Sequence, residues 1–256
     1  MAAIVPVTAP TIVKTLLEGR WVWEYFSWFA FAERRVIESC DPGDGRPILV
    51  LPGFLATDHT TWPLRRFLSR LGYPTFGWEQ GVNLGFRPGM RIRLLRKVAE
   101  LFQRFERPLT VIGWSLGGVY ARDLATTRPD QIGTVITLGS PQQGNPRSTA
   151  VWRLFQWLNR KHLGYLSSVT FDDYLKPLTV PSLSIYSRGD GIVPWEQCRC
   201  RRGQGGCEQE VSGSHVGLVH NAEAMRAISD YLRAHPTRST RGEVDFRTIY
   251  VNERGL

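Results

Sequence analysis

The chain is poor in cysteine, in clustered charge and in uninterrupted apolar sequence, and each shortage removes a class of protein. Four cysteines among 256 residues are too few to staple a disulfide scaffold and fit a reducing compartment. Three of them, Cys198, Cys200 and Cys207, lie close together with His215 behind. Their spacing matches no standard pair of zinc knuckles, so free thiols or one loop disulfide are expected before a metal site. The most apolar N-terminal stretch, residues 21–32, contains Glu24 and is shorter than the roughly 18 residues a membrane-spanning helix needs. Residues 1–13 carry two prolines and no lysine or arginine, so no secretory signal is read there and a cytoplasmic location is expected. Basic residues outnumber acidic ones by 32 to 23, a formal charge of +9. No run of five basic residues and no nucleic-acid module accompanies that excess, which reads as general surface charge; nucleic acid is not an expected partner.

What is present is a globular composition, 42% hydrophobic and 21% charged, at a length that suits one large α/β domain with a sizeable core. Apolar runs at 48–51, 109–112, 134–138 and 182–186 read as strands buried on both faces of a parallel sheet. A short strand is expected at 73–76, and 182–186 is the last clear one. Amphipathic helices are expected at 61–70, 90–105 and 222–234. Gly77, Gly81 and Gly85 recur at every fourth position without a G-x-G-x-x-G or a Lys-Ser/Thr ending, so they read as loop geometry near the site rather than as a phosphate cradle.

Residues 11–35 read as a helix whose aromatics, Trp21, Trp23, Tyr25, Phe26, Trp28, Phe29 and Phe31, crowd more than one face. Packing on the main domain explains one face. The other fits a peripheral contact with a membrane surface, where tryptophan and tyrosine rings are favoured and a basic chain is attracted to anionic lipid. The turn cluster at 41–47 closes this N-terminal extension, 1–40, and opens the domain proper, 41–235. The tail, 236–256, is polar and expected to be weakly ordered unless residues 246–251 pair. Residues 142–178 interrupt the strand–helix alternation: Val151, Leu154, Phe155 and Leu158 recur at helical spacing beside Trp152 and Trp157, followed by Tyr165, Phe171 and Tyr174. They form either a helical cap over a site or two ordinary helices on the sheet.

The chemistry concentrates in three motifs. Gly113-Trp114-Ser115-Leu116-Gly117 stands between the strand at 109–112 and a helix over 119–126. A serine at the apex of so sharp a turn is forced into strained backbone angles, so the residues two before and two after it must be small. Asp190 lies in Ser187-Arg188-Gly189-Asp190-Gly191, directly after the strand at 182–186. His215 lies in Ser212-Gly213-Ser214-His215-Val216-Gly217, before the last helix. Each also has a plain reading, as a glycine-rich turn or a structural histidine.

Taken together and in the order Ser, Asp, His, these motifs resemble the α/β-hydrolase superfamily, and within it the small bacterial lipases and esterases; Gly139-Ser140-Pro141 is similar to a stretch of those lipases as well. The resemblance covers residues 46–235. It implies an α/β-hydrolase fold with a mainly parallel sheet, and hydrolysis of a carboxylic ester, small-molecule or lipid, through an acyl-serine intermediate. It makes Ser115 the nucleophile, His215 the base and Asp190 the acid that orients it. The backbone N–H groups of Phe54 and Leu116 would hold the oxyanion. Pro52 stands where the superfamily usually has histidine. Trp114, Leu55 and Trp152 are the expected pocket residues, and no cofactor or metal is implied. His220, beside the helix-capping Asn221, competes with His215, while His59, His162 and His235 read as surface residues. An acyltransferase using the same three residues, or a non-catalytic binding protein on this fold, are the alternatives.

Overall fold

Runs of branched apolar residues without polar alternation need cover on both sides, and the computed structural model supplies it. It describes residues 9–144, 146–160, 177–200 and 206–237. Among these, six strands form one sheet: β1 Ile48–Leu51, β2 Thr75–Phe76, β3 Leu109–Trp114, β4 Ile132–Leu138, β5 Ser182–Tyr186 and β6 Cys207–Glu210. They are ordered β2-β1-β3-β4-β5-β6, and every neighbouring pair is parallel.

After β1 the chain steps outward to β2, then crosses back to place β3 on the other side of β1. The order of strands therefore reverses direction between β1 and β3, and the crevice beyond their carboxyl ends is where open α/β sheets bind ligands. Leu51 is registered with Gly113 across this pair, so the segments leaving β1 and β3, which carry Phe54 and Ser115, emerge side by side.

Alternate residues of each strand point to opposite faces. Ile48, Val50, Ile112, Ile136 and Ile185 face one apolar layer, and Leu49, Leu51, Val111 and Val135 face the other. The N-terminal segment is helical from Ile12 to Ser39: α1 Ile12–Leu17, a 3₁₀ turn Glu18–Arg20, α2 Trp21–Ser27, a π turn Trp28–Ala32 and α3 Glu33–Ser39. It shares the first layer with α4 Trp62–Arg70. The second layer holds α5 Met90–Phe105 and α6 Leu116–Thr127. There follow α7 Trp152–Asn159, the short α8 Trp195–Cys198, and α9 Ala222–Ala234, which closes the first layer and is capped by Asn221, whose Oδ1 accepts from Ala224 N at 2.9 Å.

Three features differ from the sequence expectation or extend it. The sheet continues past residues 182–186 to β6, whose Cys-Glu-Gln-Glu sequence has no apolar alternation. It is an edge strand with mostly exposed side chains, and edges tolerate, indeed favour, charge. The N-terminal helix runs on to Ser39 and splits its aromatics: Trp28 is 1% exposed and packs edge-on against Phe67 at 6.0 Å, while Trp23 is 71% exposed. The 3₁₀ and π turns change the helical period and so rotate successive side chains to different sides. Of the segment 142–178, residues 145 and 161–176 lie outside the described residues, as do His162 and the tail beyond Thr237. The described helix α7 sets Phe155 against Phe54 at 5.2 Å, so it rests on the loop that follows β1.

Trp28 is held by packing alone, since its indole N–H meets no acceptor among the described residues. Trp28→Ala should lower the free energy of unfolding by about 3–5 kcal/mol, whereas Trp23→Ala should change it by less than about 0.5 kcal/mol. Urea denaturation of the two variants measures both, and equal values would show that the N-terminal segment lies outside the cooperative core.

Candidate active site

Ser115 lies between β3 and α6 with φ 54° and ψ −122°, a region that costs a non-glycine residue on the order of 1–3 kcal/mol. Its N–H donates to Leu138 O at 2.8 Å, tying the turn to β4. A Cβ at Gly113 would collide with the backbone of Gly117, and one at Gly117 with the Leu51 and Pro52 carbonyls. Ser140, fully buried after β4, donates from Oγ toward Gly113 O at 3.3 Å and Leu138 O at 3.2 Å. The stretch Gly139-Ser140 thus braces the turn from below.

Asp190 and His215 come together at the ends of β5 and β6. Asp190 Oδ2 is 2.6 Å from His215 Nδ1, and its Oδ1 accepts from the N–H groups of Ile192 and Val193, both at 2.8 Å. With both oxygens engaged the carboxylate cannot rotate, and Nδ1–H is directed at it, which leaves Nε2 as the atom able to take a proton. Trp114 Nε1 donates to His215 O at 3.0 Å, and the two rings lie 5.6 Å apart. Gly139, at φ 55°, leaves room for the ring, because a Cβ there would stand 2.9 Å from His215 Nδ1. Among the described residues no hydrogen bond joins Ser115 to His215, whose imidazole bond runs to Asp190; such bonds often tighten only when substrate binds.

His220 is placed differently. It is buried against the Tyr25 ring, 5.4 Å away, and burial pushes its pKa down to about 4 despite Glu24 nearby. It therefore stays neutral and shielded. His59 is exposed, and His235 is half-buried and stacked on Tyr231 at 4.0 Å.

The Phe54 and Leu116 N–H groups donate to no acceptor among the described residues. The loop carrying Phe54 is fixed by Asn83, a residue the sequence reading passed over. Asn83 Nδ2 donates to Pro52 O at 2.8 Å, its backbone N–H to Ala56 O at 2.8 Å, and its carbonyl accepts from Leu55 N at 2.7 Å. Tyr120 of α6 donates to Asn83 Oδ1 at 3.2 Å, linking this loop to the helix that follows Ser115. An Asn between two glycines, Gly81 and Gly85, was the available signal: a short amide side chain can bond neighbouring backbone where loops must be pinned. Of the expected pocket residues, Leu55 is 46% exposed and Trp152 stacks on Phe155 at 5.6 Å, beside Phe54. Trp114 instead turns inward and is buried, so it supports His215 rather than lining an open surface.

The cysteines are free thiols. Cys198 is buried, and burial raises its pKa well above the ordinary value. Among the described residues no cluster of His, Cys, Asp or Glu could hold a metal ion, and no helix is long and apolar enough to cross a membrane.

No protein-family model matches the chain, and no curated protein sequence does. Solved structures do, and with the sheet order and the strained turn they define an α/β-hydrolase fold. The monoacylglycerol lipase of Paleococcus ferrophilus is 16% identical and superposes with a TM-score of 0.55, over 77% of this chain and 97% of that one. A structure described under LipS and LipT, two metagenome-derived lipolytic enzymes, is 15% identical with a TM-score of 0.55, over 77% and 96%. Est1E from Butyrivibrio proteoclasticus, with ferulic acid bound, is 15% identical with a TM-score of 0.53, over 74% and 90%. At these identities the likeness is one of fold.

Burial disfavours the His215 imidazolium, but the Asp190 carboxylate, the hydrogen bond to it and the Glu18 charge outweigh that cost and raise the pKa above 6.5. A raised folded-state pKa stabilises the protein below the unfolded value, and the contribution fades as pH rises through the folded one. An NMR titration should therefore place His215 above 6.5, and Asp190→Asn should bring it down. A parental midpoint in Asp190→Asn would assign the proton's stabilisation elsewhere.

Proposed function

We propose that the chain hydrolyses carboxylic esters through an acyl-serine formed on Ser115. The observation that carries this reading is the buried Asp190–His215 hydrogen bond of 2.6 Å at the same end of the sheet as a serine held at positive φ. Ser115 Oγ attacks the ester carbonyl as its proton passes to His215 Nε2. The oxyanion forms beside the unspent Phe54 and Leu116 N–H groups, where fixed donors favour the developing charge. Collapse of the tetrahedral intermediate expels the alcohol, which takes the proton from His215. Water, deprotonated by the same imidazole, then attacks the acyl carbon and releases the acid and free Ser115.

Apolar acyl groups suit the surroundings: Phe54, Leu116, Trp152 and Phe155 pack into one apolar layer next to the proposed oxyanion donors. Structural neighbours, a monoacylglycerol lipase and a lipolytic enzyme, support an ester of this kind. An anionic bilayer is the proposed docking surface. Ile12, Val13, Leu16, Val22, Trp23 and Phe26 are exposed along one segment, and the formal charge of +9 complements anionic lipid.

A fluorophosphonate probe should label Ser115, and Ser115→Ala should lose labelling and about 10⁴-fold or more of ester turnover. His215→Ala should match it, and His220→Ala should cost far less. An unlabelled parent, or a Ser115→Ala variant of parental activity, would overturn the hydrolase reading. Acid rather than transferred acyl product, with alcohols and amines supplied, separates hydrolysis from acyl transfer.

For the bilayer, the double variant Trp23→Ser with Phe26→Ser should lose salt-sensitive co-sedimentation with anionic vesicles while turning over a dispersed short-chain ester at the parental rate. Unchanged sedimentation would reject the docking surface.

A further inference from the structure

A carboxylate buried without a cation costs several kcal/mol unless other donors replace its water. Glu18, in the 3₁₀ turn after α1, is 8% exposed and makes no ion pair among the described residues. Its donors are all backbone N–H groups of the two loops that carry Asp190 and His215. Oε1 accepts from Gly191 N at 2.8 Å and His215 N at 2.9 Å, and Oε2 accepts from Val216 N at 3.1 Å. One side chain from the N-terminal segment therefore holds the residue after Asp190 and the residue His215 itself.

The neighbours of Glu18 repeat the pattern. Thr15 Oγ1 donates to Gly191 O at 2.8 Å, and Arg20 Nη2 to Gly189 O at 3.0 Å. Glu24 accepts from Ser214 N at 3.0 Å and from the Ser214 hydroxyl. The fit leaves no slack: a Cβ at Gly191 would strike the backbone of Lys14 and Thr15, and one at Gly217 would strike the Glu24 carboxylate.

We infer that Glu18 is a positioning residue of the active site, whose carboxylate clamps the acid loop to the base loop and so holds Asp190 and His215 in register. The inference rests on the proposed hydrolase chemistry for its kinetic consequences, but its geometry stands apart from that chemistry. The charged groups acting on His215 are Asp190 from the loop after β5 and Glu18 from the N-terminal segment, and both favour the imidazolium. Glu24 sits one residue before, on Ser214. Removing the Glu18 charge must therefore lower the His215 pKa.

Glu18→Gln is the informative change, because the amide fills the same volume and can still accept from Gly191 and His215. Its NH2 group then confronts Val216 N–H, so one clamp bond is lost. In the full-length protein this variant should fold, lower kcat by about 10- to 100-fold, as slight misplacement of reacting groups does, and leave KM for a short-chain ester nearly unchanged. The acidic limb of kcat/KM and the NMR midpoint of His215 should both move to lower pH. Glu18→Ala should be worse in kcat, and Glu24→Gln, whose carboxylate holds Ser214 and Arg20 but neither Gly191 nor His215, milder.

A folded Glu18→Gln protein with parental kcat and a parental His215 midpoint would overturn the inference. So would a loss of activity that merely follows the folded fraction while the midpoint stays put. An inactive parent would count against the hydrolase reading alone, since the NMR midpoint tests the clamp without turnover.

Discussion

The structure turns on the backbone of Ser115. Its positive φ ends a buried strand and starts a helix within one residue, so β3 and α6 must pass at a distance no side chain allows. Gly113 and Gly117 remove the Cβ atoms that would collide, and Gly118 does so toward Ser140. The strain is offset by the strand pairing on both sides of β3 and by the bond from Ser115 N to Leu138 O. Everything else at the carboxyl end of the sheet is arranged around that fixed point.

Around it, the polar groups are buried in closed sets. Asp190 spends one oxygen on its own loop and the other on His215. Asn83 closes the loop after β1 against itself and against α6. Gln142, also buried, accepts from Arg122 of α6 at 2.9 Å and donates to Ser184 Oγ of β5 at 2.6 Å and Cys198 O at 3.0 Å. Because the Asp190 carboxylate and the Asn83 and Gln142 amides are all engaged, the loops are specified by hydrogen bonds whose loss would expose an unpaired group. Two of the three sets include a residue of α6, the helix that begins at Ser115.

The strands and the helices of both layers were legible because burial on two faces, or on one stripe, writes itself into apolar spacing. Met90, Leu94, Val98, Leu101 and Phe105 of α5 recur as helical period demands, and all are buried. The turn at Ser115 was legible from its glycines. β6 was not, because an edge strand owes its place to backbone pairing with β5 and its Cys-Glu-Gln-Glu side chains say nothing of it. Asp190 and His215 stood out only through the resemblance of their loops; their spacing of 25 residues contains no sign that they touch. Glu18 was hidden more deeply. In an amphipathic helix a glutamate reads as part of the solvated face, and only the folded chain brings distant backbone N–H groups to it.

The clamp made by Glu18 also joins residues 173 to 198 positions apart in the chain. Closing so long a loop adds little to the thermodynamic cost, since each doubling of length adds only about 0.6 kcal/mol. Its effect is on timing. At a synthesis rate of roughly 5–20 residues per second, the 197 positions that separate His215 from Glu18 take about 10–40 s to follow it out. Through that interval the Glu18 carboxylate lacks the N–H groups it clamps, although Phe67, on which Trp28 packs, is made early. The clamp is therefore among the last contacts that synthesis allows, since its backbone partners lie in the loops that follow β5 and β6.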